Sequence, residues 1–158
     1  GAPGAMYDYR MEHLFSYSAG LKAPPQAIGA VPEGIRLNFH ILGGPVQGPR
    51  VNGRMLGEGA DWFVMRPDGI GELDVRAAIE TTDGALIYVH YRGLGDFGAD
   101  GYDKLSRGEM PRKVALRTTP VMRTAHPDYQ WLQRLQCIGV GEADLERFTA
   151  SYDVYAVR

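Results

Sequence analysis

Cysteine is almost missing from this chain: Cys137 stands alone in 158 residues, so no internal disulfide can staple the fold. Long apolar runs are missing too. None approaches the roughly 18 residues that a membrane-spanning helix needs, and no apolar stretch follows a basic N-terminus in the manner of an export signal. Positive charge is not in surplus either, with 17 Lys and Arg against 19 Asp and Glu. Phosphate backbones and anionic membranes select a basic excess that this balance lacks. Nucleic acid and membrane are therefore not expected partners, and the cytoplasm is the expected location. Histidine is sparse, and His13, His40, His90 and His126 show no paired helical spacing. No metal and no cofactor is expected from that pattern.

Glycine and proline, by contrast, are plentiful, 21 and 10 of them, and they are spread along the chain rather than gathered in a linker. Scattered breakers punctuate short segments, which points to β structure in one domain. The first five residues, "GAPGA", read as an expression-tag remnant, leaving residues 6–158 as that domain. Strands are expected near Met11 to Ser18, Ile35 to Leu42, Val46 to Leu56, Asp61 to Arg66, Glu72 to Glu80, Ala85 to Arg92, Lys113 to Arg123, Leu135 to Val140 and Phe148 to Val157. "RPDG" and "TTDGA" supply hairpin turns, since Asp before Gly tolerates the positive φ that tight turns require. Two short helices are expected, around 99–109 and at 126–134, where Pro127 suits a first helical turn. Many strands with little helix must close or stack to hide their edges. The expected fold is all-β, an antiparallel up-and-down barrel of about eight to ten strands, lipocalin-like in size. Such a barrel can hold one small ligand.

"PDGIGELDVR", residues 67–76, runs a turn into three charged residues spaced two apart. Leu73, Val75, Ala77 and Ile79 share one face of the strand, and Glu72, Asp74, Arg76 and Glu80 the other. Pairing across the turn brings Asp61 or Trp62 opposite Arg76, within a residue of register. In the first register Asp61, Asp74 and Arg76 form one ionic cluster. Pattern alone leaves two readings open: a solvated outer face of weak ion pairs, or a polar patch inside a lumen.

"GEGADWFVMRPDGIGELDVRAAIETTDGALIYVHYRG", residues 57–93, resembles the core signature of the DUF3237 family, also called UPF0311, with its G-A-D-W, R-x-D-G, L-D-x-R and T-x-D-G-A-x-I-Y stretches. "LRTTPVMRTAHPDYQWLQRLQCIGVGE" is similar to the family's C-terminal segments, and the likeness covers nearly the whole chain from about Glu12. It implies a small β-barrel with no firmly shared activity. Two departures are Gln133, where the family usually has Asn, and Ala77, where it tends toward an aromatic.

From these lines the expected site lies in the barrel. Asp61, Asp74 and His90 are the catalytic candidates, with Asp61 as general base beside an indole that can desolvate it. Arg76 and Arg117 would anchor an anionic or enolate ligand. Trp62, Arg66, Tyr91, Tyr129, Trp131 and Gln133 complete the binding set. The expected partner is a small, partly apolar molecule, neutral or anionic, bound by a homodimer or higher homo-oligomer. The expected activity is isomerase, lyase or hydrolase chemistry on a small cyclic or aromatic acid, ketone or lactone; a ligand carrier is the alternative. "GLGDFG", residues 93–98, matches the dinucleotide fingerprint in letters, but lacks the parallel strand and long helix that fingerprint needs. It is expected to be a loop at the barrel mouth, closing as a lid over residues 93–101.

Overall fold

The computed structural model describes residues 3–158; the first two residues of the segment read as a tag remnant lie outside it. Strands dominate: β1 Met11–Leu21, β2 Gln26–Val31, β3 Gly34–Gln47, β4 Gly53–Met55, β5 Ala60–Met65, β6 Ile70–Thr81, β7 Leu86–Asp96, β8 Lys113–Thr118, β9 Val121–Arg123, β10 Cys137–Asp144 and β11 Thr149–Val157. Helix α1, Gly101–Ser106, and a 3-10 helix, Pro127–Arg134, are the two short helices. All pairings are antiparallel. They run β1–β3–β5–β6–β7–β8–β10–β11 and back to β1, which closes an eight-stranded barrel. Closure leaves the barrel wall itself without an edge.

The remaining strands are flaps. β2 pairs only with β3, and β4 and β9 are three-residue additions. β2 escapes the sequence pattern because it is mostly exposed and rich in Ala and Gly, so it shows no apolar alternation. The expected strand Val46 to Leu56 divides, its start belonging to β3 and its end to β4. The expected strand Lys113 to Arg123 also divides, after Thr118. Pro120 has no N–H to donate there, and the Thr119 N–H turns back to the Arg92 carbonyl at 3.0 Å.

Inward residues alternate with outward ones as the pleat requires. On β6, Leu73, Val75, Ala77 and Ile79 are buried while Arg76 and Glu80 are exposed. The two barrel ends differ. Toward the Thr81 to Ala85 turn the interior is filled by Leu14, Phe15, Val51, Ile79, Ile87 and Met122, with Leu132 of the 3-10 helix packed among the core residues. Toward the Gly69 turn the interior stays open as a cavity. The expected lid shrinks here, because Gly93 to Asp96 complete β7 and only residues 97–100 form a turn before α1. Phe97 packs inward from that turn. A Cβ on Gly71 would stand 2.7 Å from its ring, and one on Gly95 would stand 3.4 Å away. Within "GLGDFG" a Cβ on Gly93 would stand 2.6 Å from the Arg117 carbonyl oxygen and one on Gly95 2.8 Å from the Leu116 side chain, so those two glycines let β7 close against β8.

Candidate active site

The cavity, about 50 Å³, has room beyond a single water. Its wall is apolar apart from four side chains: Asp61, Tyr17, Tyr91 and Tyr152. Phe39, Phe63 and Phe97 form an edge-to-face run along one side, with ring centroids 5.8 Å apart at each step. Tyr152 stands against Tyr17 at 5.3 Å and against Tyr91 at 5.6 Å. It fits because β10 faces it with a glycine: a Cβ on Gly141 would stand 2.5 Å from the Tyr152 ring.

Asp61 borders the interior on the same face of β5 as Phe63, and the sheet opens just beyond it. β5 pairs with β6 at Ala60–Arg76 and Asp61–Val75, then again at Val64–Glu72 and Met65–Gly71, so the ladder lapses opposite Trp62 and Phe63. The Asp74 N–H donates to Asp61 Oδ1 at 3.0 Å. Asp61 as a whole is half-buried because it borders the cavity, while its carboxyl is surrounded by protein. Burial is the main force on its proton, pushing the pKa up to about 7; the Asp74 N–H opposes this and the negative charge of Asp74 adds to it. Burial likewise raises the phenols of Tyr17, Tyr91 and Tyr152 well above their ordinary range, with the Asp61 charge contributing in the same direction. These hydroxyls are neutral donors. Tyr17 donates to Tyr91 at 3.0 Å, whereas the Tyr152 hydroxyl makes no hydrogen bond among the described residues, although its ring meets that of Tyr91 edge-on.

Only Asp61 and Tyr91 of the expected site residues border this cavity. Asp74 and Arg76 lie on the opposite face of β6, so the expected three-residue ionic cluster does not form. Asp61 sits across from Val75, one position from the Arg76 register. Outside, Asp74 contacts His90 Nε2 at 3.1 Å and Arg92 at 3.7 Å. Trp62 is 41% exposed and meets His40 edge-on, so it does not roof the carboxyl from within. Arg66 pairs with Asp68 across its own turn, and Arg117, exposed, donates to the Leu116 carbonyl at 2.9 Å. Tyr129, Trp131 and Gln133 belong to the closed end. The Tyr129 hydroxyl donates to Asp83, Trp131 Nε1 donates to the Asp128 carbonyl beneath the Arg50 guanidinium, and Gln133 Oε1 accepts the Thr124 N–H. Ala77 is buried but does not border the cavity. Because Arg76 is an exposed outer residue, Arg76→Ala is expected to change stability by no more than about 0.5 kcal/mol in urea unfolding, as for an ordinary surface substitution; a loss of about 3 kcal/mol would place it in a buried ion pair.

Tyr17 and Tyr152 are the residues that sequence reasoning missed. Their signal is long-range: they face each other across β1 and β11, and Tyr152 stands opposite Gly141 on β10. Among the described residues no group of three or more His, Cys, Asp or Glu is placed to hold a metal ion, and no helix is long and apolar enough to cross a membrane. Cys137 is buried, its thiol pushed up to about 11 by that burial.

Fold and cavity together define a small antiparallel β-barrel with one acidic side chain set into an apolar, phenol-lined interior. The family described as "Protein of unknown function (DUF3237)" matches residues 9–157, and the chain belongs to it. A UPF0311 protein from Rhodopseudomonas palustris is 38% identical over 148 residues, covering 92% of this chain and 95% of that one. A β-barrel-like protein from Acinetobacter baumannii superimposes with a TM-score of 0.82 at 30% identity, covering 98% of this chain and 99% of that one. A protein from Penicillium herquei described as an enzyme shares the fold at a TM-score of 0.66 and 21% identity, covering 99% of this chain and 100% of that one.

Proposed function

We propose that the chain is a general acid/base enzyme that draws a small, neutral ring compound, a ketone or lactone, into the barrel and moves a proton with Asp61. The observation that carries this reading is a carboxyl with a pKa of about 7 set in the wall of an apolar cavity. Near neutral pH such a group populates both its forms, so it can take a proton and return it. Isomerisation, elimination and hydrolysis all use that exchange. The acids expected from sequence drop out of the substrate class. Arg76 and Arg117 point outward, and no Arg, Lys or His borders the cavity. A ligand carboxylate would there meet a carboxylate and lose its water without gaining a cation.

The test is hydrogen exchange. Ring ketones and lactones incubated with the protein in D2O are expected to exchange their α-protons faster than in buffer, followed by proton NMR. The rate should rise with pH through about 7, as Asp61 becomes the free carboxylate base. Asp61→Asn should remove the acceleration, since an amide keeps the shape and loses the base. Binding without accelerated exchange in the wild type would overturn the enzyme reading in favour of a carrier.

A further inference from the structure

The buried hydroxyl of Tyr152 is spare. It is the one buried side-chain oxygen or nitrogen among the described residues without a hydrogen-bond partner, and Tyr152 is only 3% exposed. Its ring borders the cavity beside Tyr17, Tyr91 and Asp61. Buried donors are nearly always paired, and an exception in a folded protein asks for a cause. Tyr91 accepts the Tyr17 proton and lies close enough to Tyr152 for the two phenols to shift each other's titration, but no hydrogen bond of ordinary geometry joins them. The strands have also been shaped to admit Tyr152. A Cβ on Gly141 would stand 2.5 Å from the Tyr152 ring, so the glycine leaves that ring its space.

We propose that Tyr152 is the donor to a ligand's carbonyl oxygen, so that the lumen selects compounds by a carbonyl group and not by apolar bulk alone. The assignment rests on the lumen being the ligand site and adds a second polar contact to the one Asp61 makes. In the reaction, the Asp61 carboxylate takes the α-proton, the C–H electron pair becomes the enolate π bond, and the carbonyl π pair moves onto oxygen. Tyr152 keeps its proton and donates a hydrogen bond to that oxygen, a stabilisation that grows as the charge develops. The Asp61 carboxylic acid then returns the proton to carbon. Atoms and electrons balance with no other reactant.

The test uses two ligands of nearly one shape, acetophenone and α-methylstyrene, which carry C=O and C=CH2 at the same position. Affinities are measured by ligand-observed NMR for the wild type, Tyr152→Phe and Asp61→Asn. The wild type is expected to prefer the ketone by about tenfold over the alkene, relative to their partition into an apolar solvent, the order of one buried hydrogen bond. Tyr152→Phe, which removes only the oxygen, should erase that preference while leaving alkene binding unchanged. Asp61→Asn should keep the preference even though α-proton exchange is lost. Wild-type preference that survives in Tyr152→Phe, or no binding of either ligand, overturns the assignment. If preference depends on Tyr152 but the wild type exchanges no protons, Tyr152 stands as the carbonyl contact and the catalytic reading of Asp61 fails. Melting curves keep the result interpretable: Tyr152→Phe should melt no lower than the wild type, because the oxygen it loses has no partner, and a variant that melts much lower would show that this hydroxyl serves the fold instead.

Discussion

Asp61→Asn is expected to raise the melting temperature at pH 8 and to leave it almost unchanged at pH 4. The folded protein holds the Asp61 proton up to about pH 7, against an ordinary value of 3.8. Between those two values the folded chain binds more protons than the unfolded one, so its stability falls as pH rises through this window. The penalty is absent below about pH 4, fully present above about pH 7, and at most about 4 kcal/mol from the size of the shift. Asparagine has no charge to desolvate, and its Oδ1 can still accept the Asp74 N–H that Asp61 Oδ1 accepts now at 3.0 Å. For a domain of this size the gain at pH 8 is on the order of 10 °C in thermal unfolding. A variant that gains equally at both pH values would show that the benefit comes from packing, and that the carboxyl is not held protonated. The stabilised variant is also the one expected to lose proton exchange. A group kept at a cost of stability and needed for turnover is the pattern that function leaves on a fold.

Much of the frame was legible from local chemistry. Asp68–Gly69 and Asp83–Gly84 were readable as turns because the positive φ they require, 86° and 93° at the two glycines, is a property of the backbone alone. The inward face of β6 was readable because Leu73, Val75, Ala77 and Ile79 alternate with charged residues. The site was less legible. Which face of a strand looks inward follows from alternation, but which inward residues meet follows from pairings far apart in the chain. Tyr17 and Tyr152 are opposite each other only because β1 and β11 close the barrel, and Asp61 lies on the interior side while Asp74 and Arg76 face out only because of the register between β5 and β6. A shift of one residue exchanges the two faces, so the ionic cluster expected from spacing became a half-exposed Asp74–His90 contact outside and a solitary carboxyl inside. The aromatic residues at the 3-10 helix misled for a related reason: near the turn around Asp83, Tyr129 and Trp131 are tied to Asp83 and Arg50 at the packed end, and aromatic content alone does not say which end of a barrel is open.

Gly69→Ala is expected to be the most damaging single-methyl addition at either hairpin, and Gly84→Ala the mild control. Both glycines have positive φ, so each alanine incurs the strain of a left-handed backbone, about 1 kcal/mol. What differs is the space. A Cβ at Gly84 meets nothing within 4 Å, but one at Gly69 would stand 1.7 Å from the Gly98 carbonyl oxygen. That oxygen belongs to a turn stitched to the Gly69 turn by the Phe97 N–H, which donates to the Gly69 carbonyl at 2.9 Å. No side-chain rotation relieves a clash with backbone, so the two turns must part. Phe97, whose ring packs against Phe63 at 5.8 Å over the open end of the cavity, would move with its turn. Gly69→Ala should therefore cost more than about 3 kcal/mol in urea unfolding and weaken ligand binding in the same variant, whereas Gly84→Ala should cost about 1 kcal/mol and leave binding intact. Equal losses in the two variants would mean that strain in φ accounts for both, and that the contact between the Gly69 and Gly98 turns does not hold the mouth of the barrel in place.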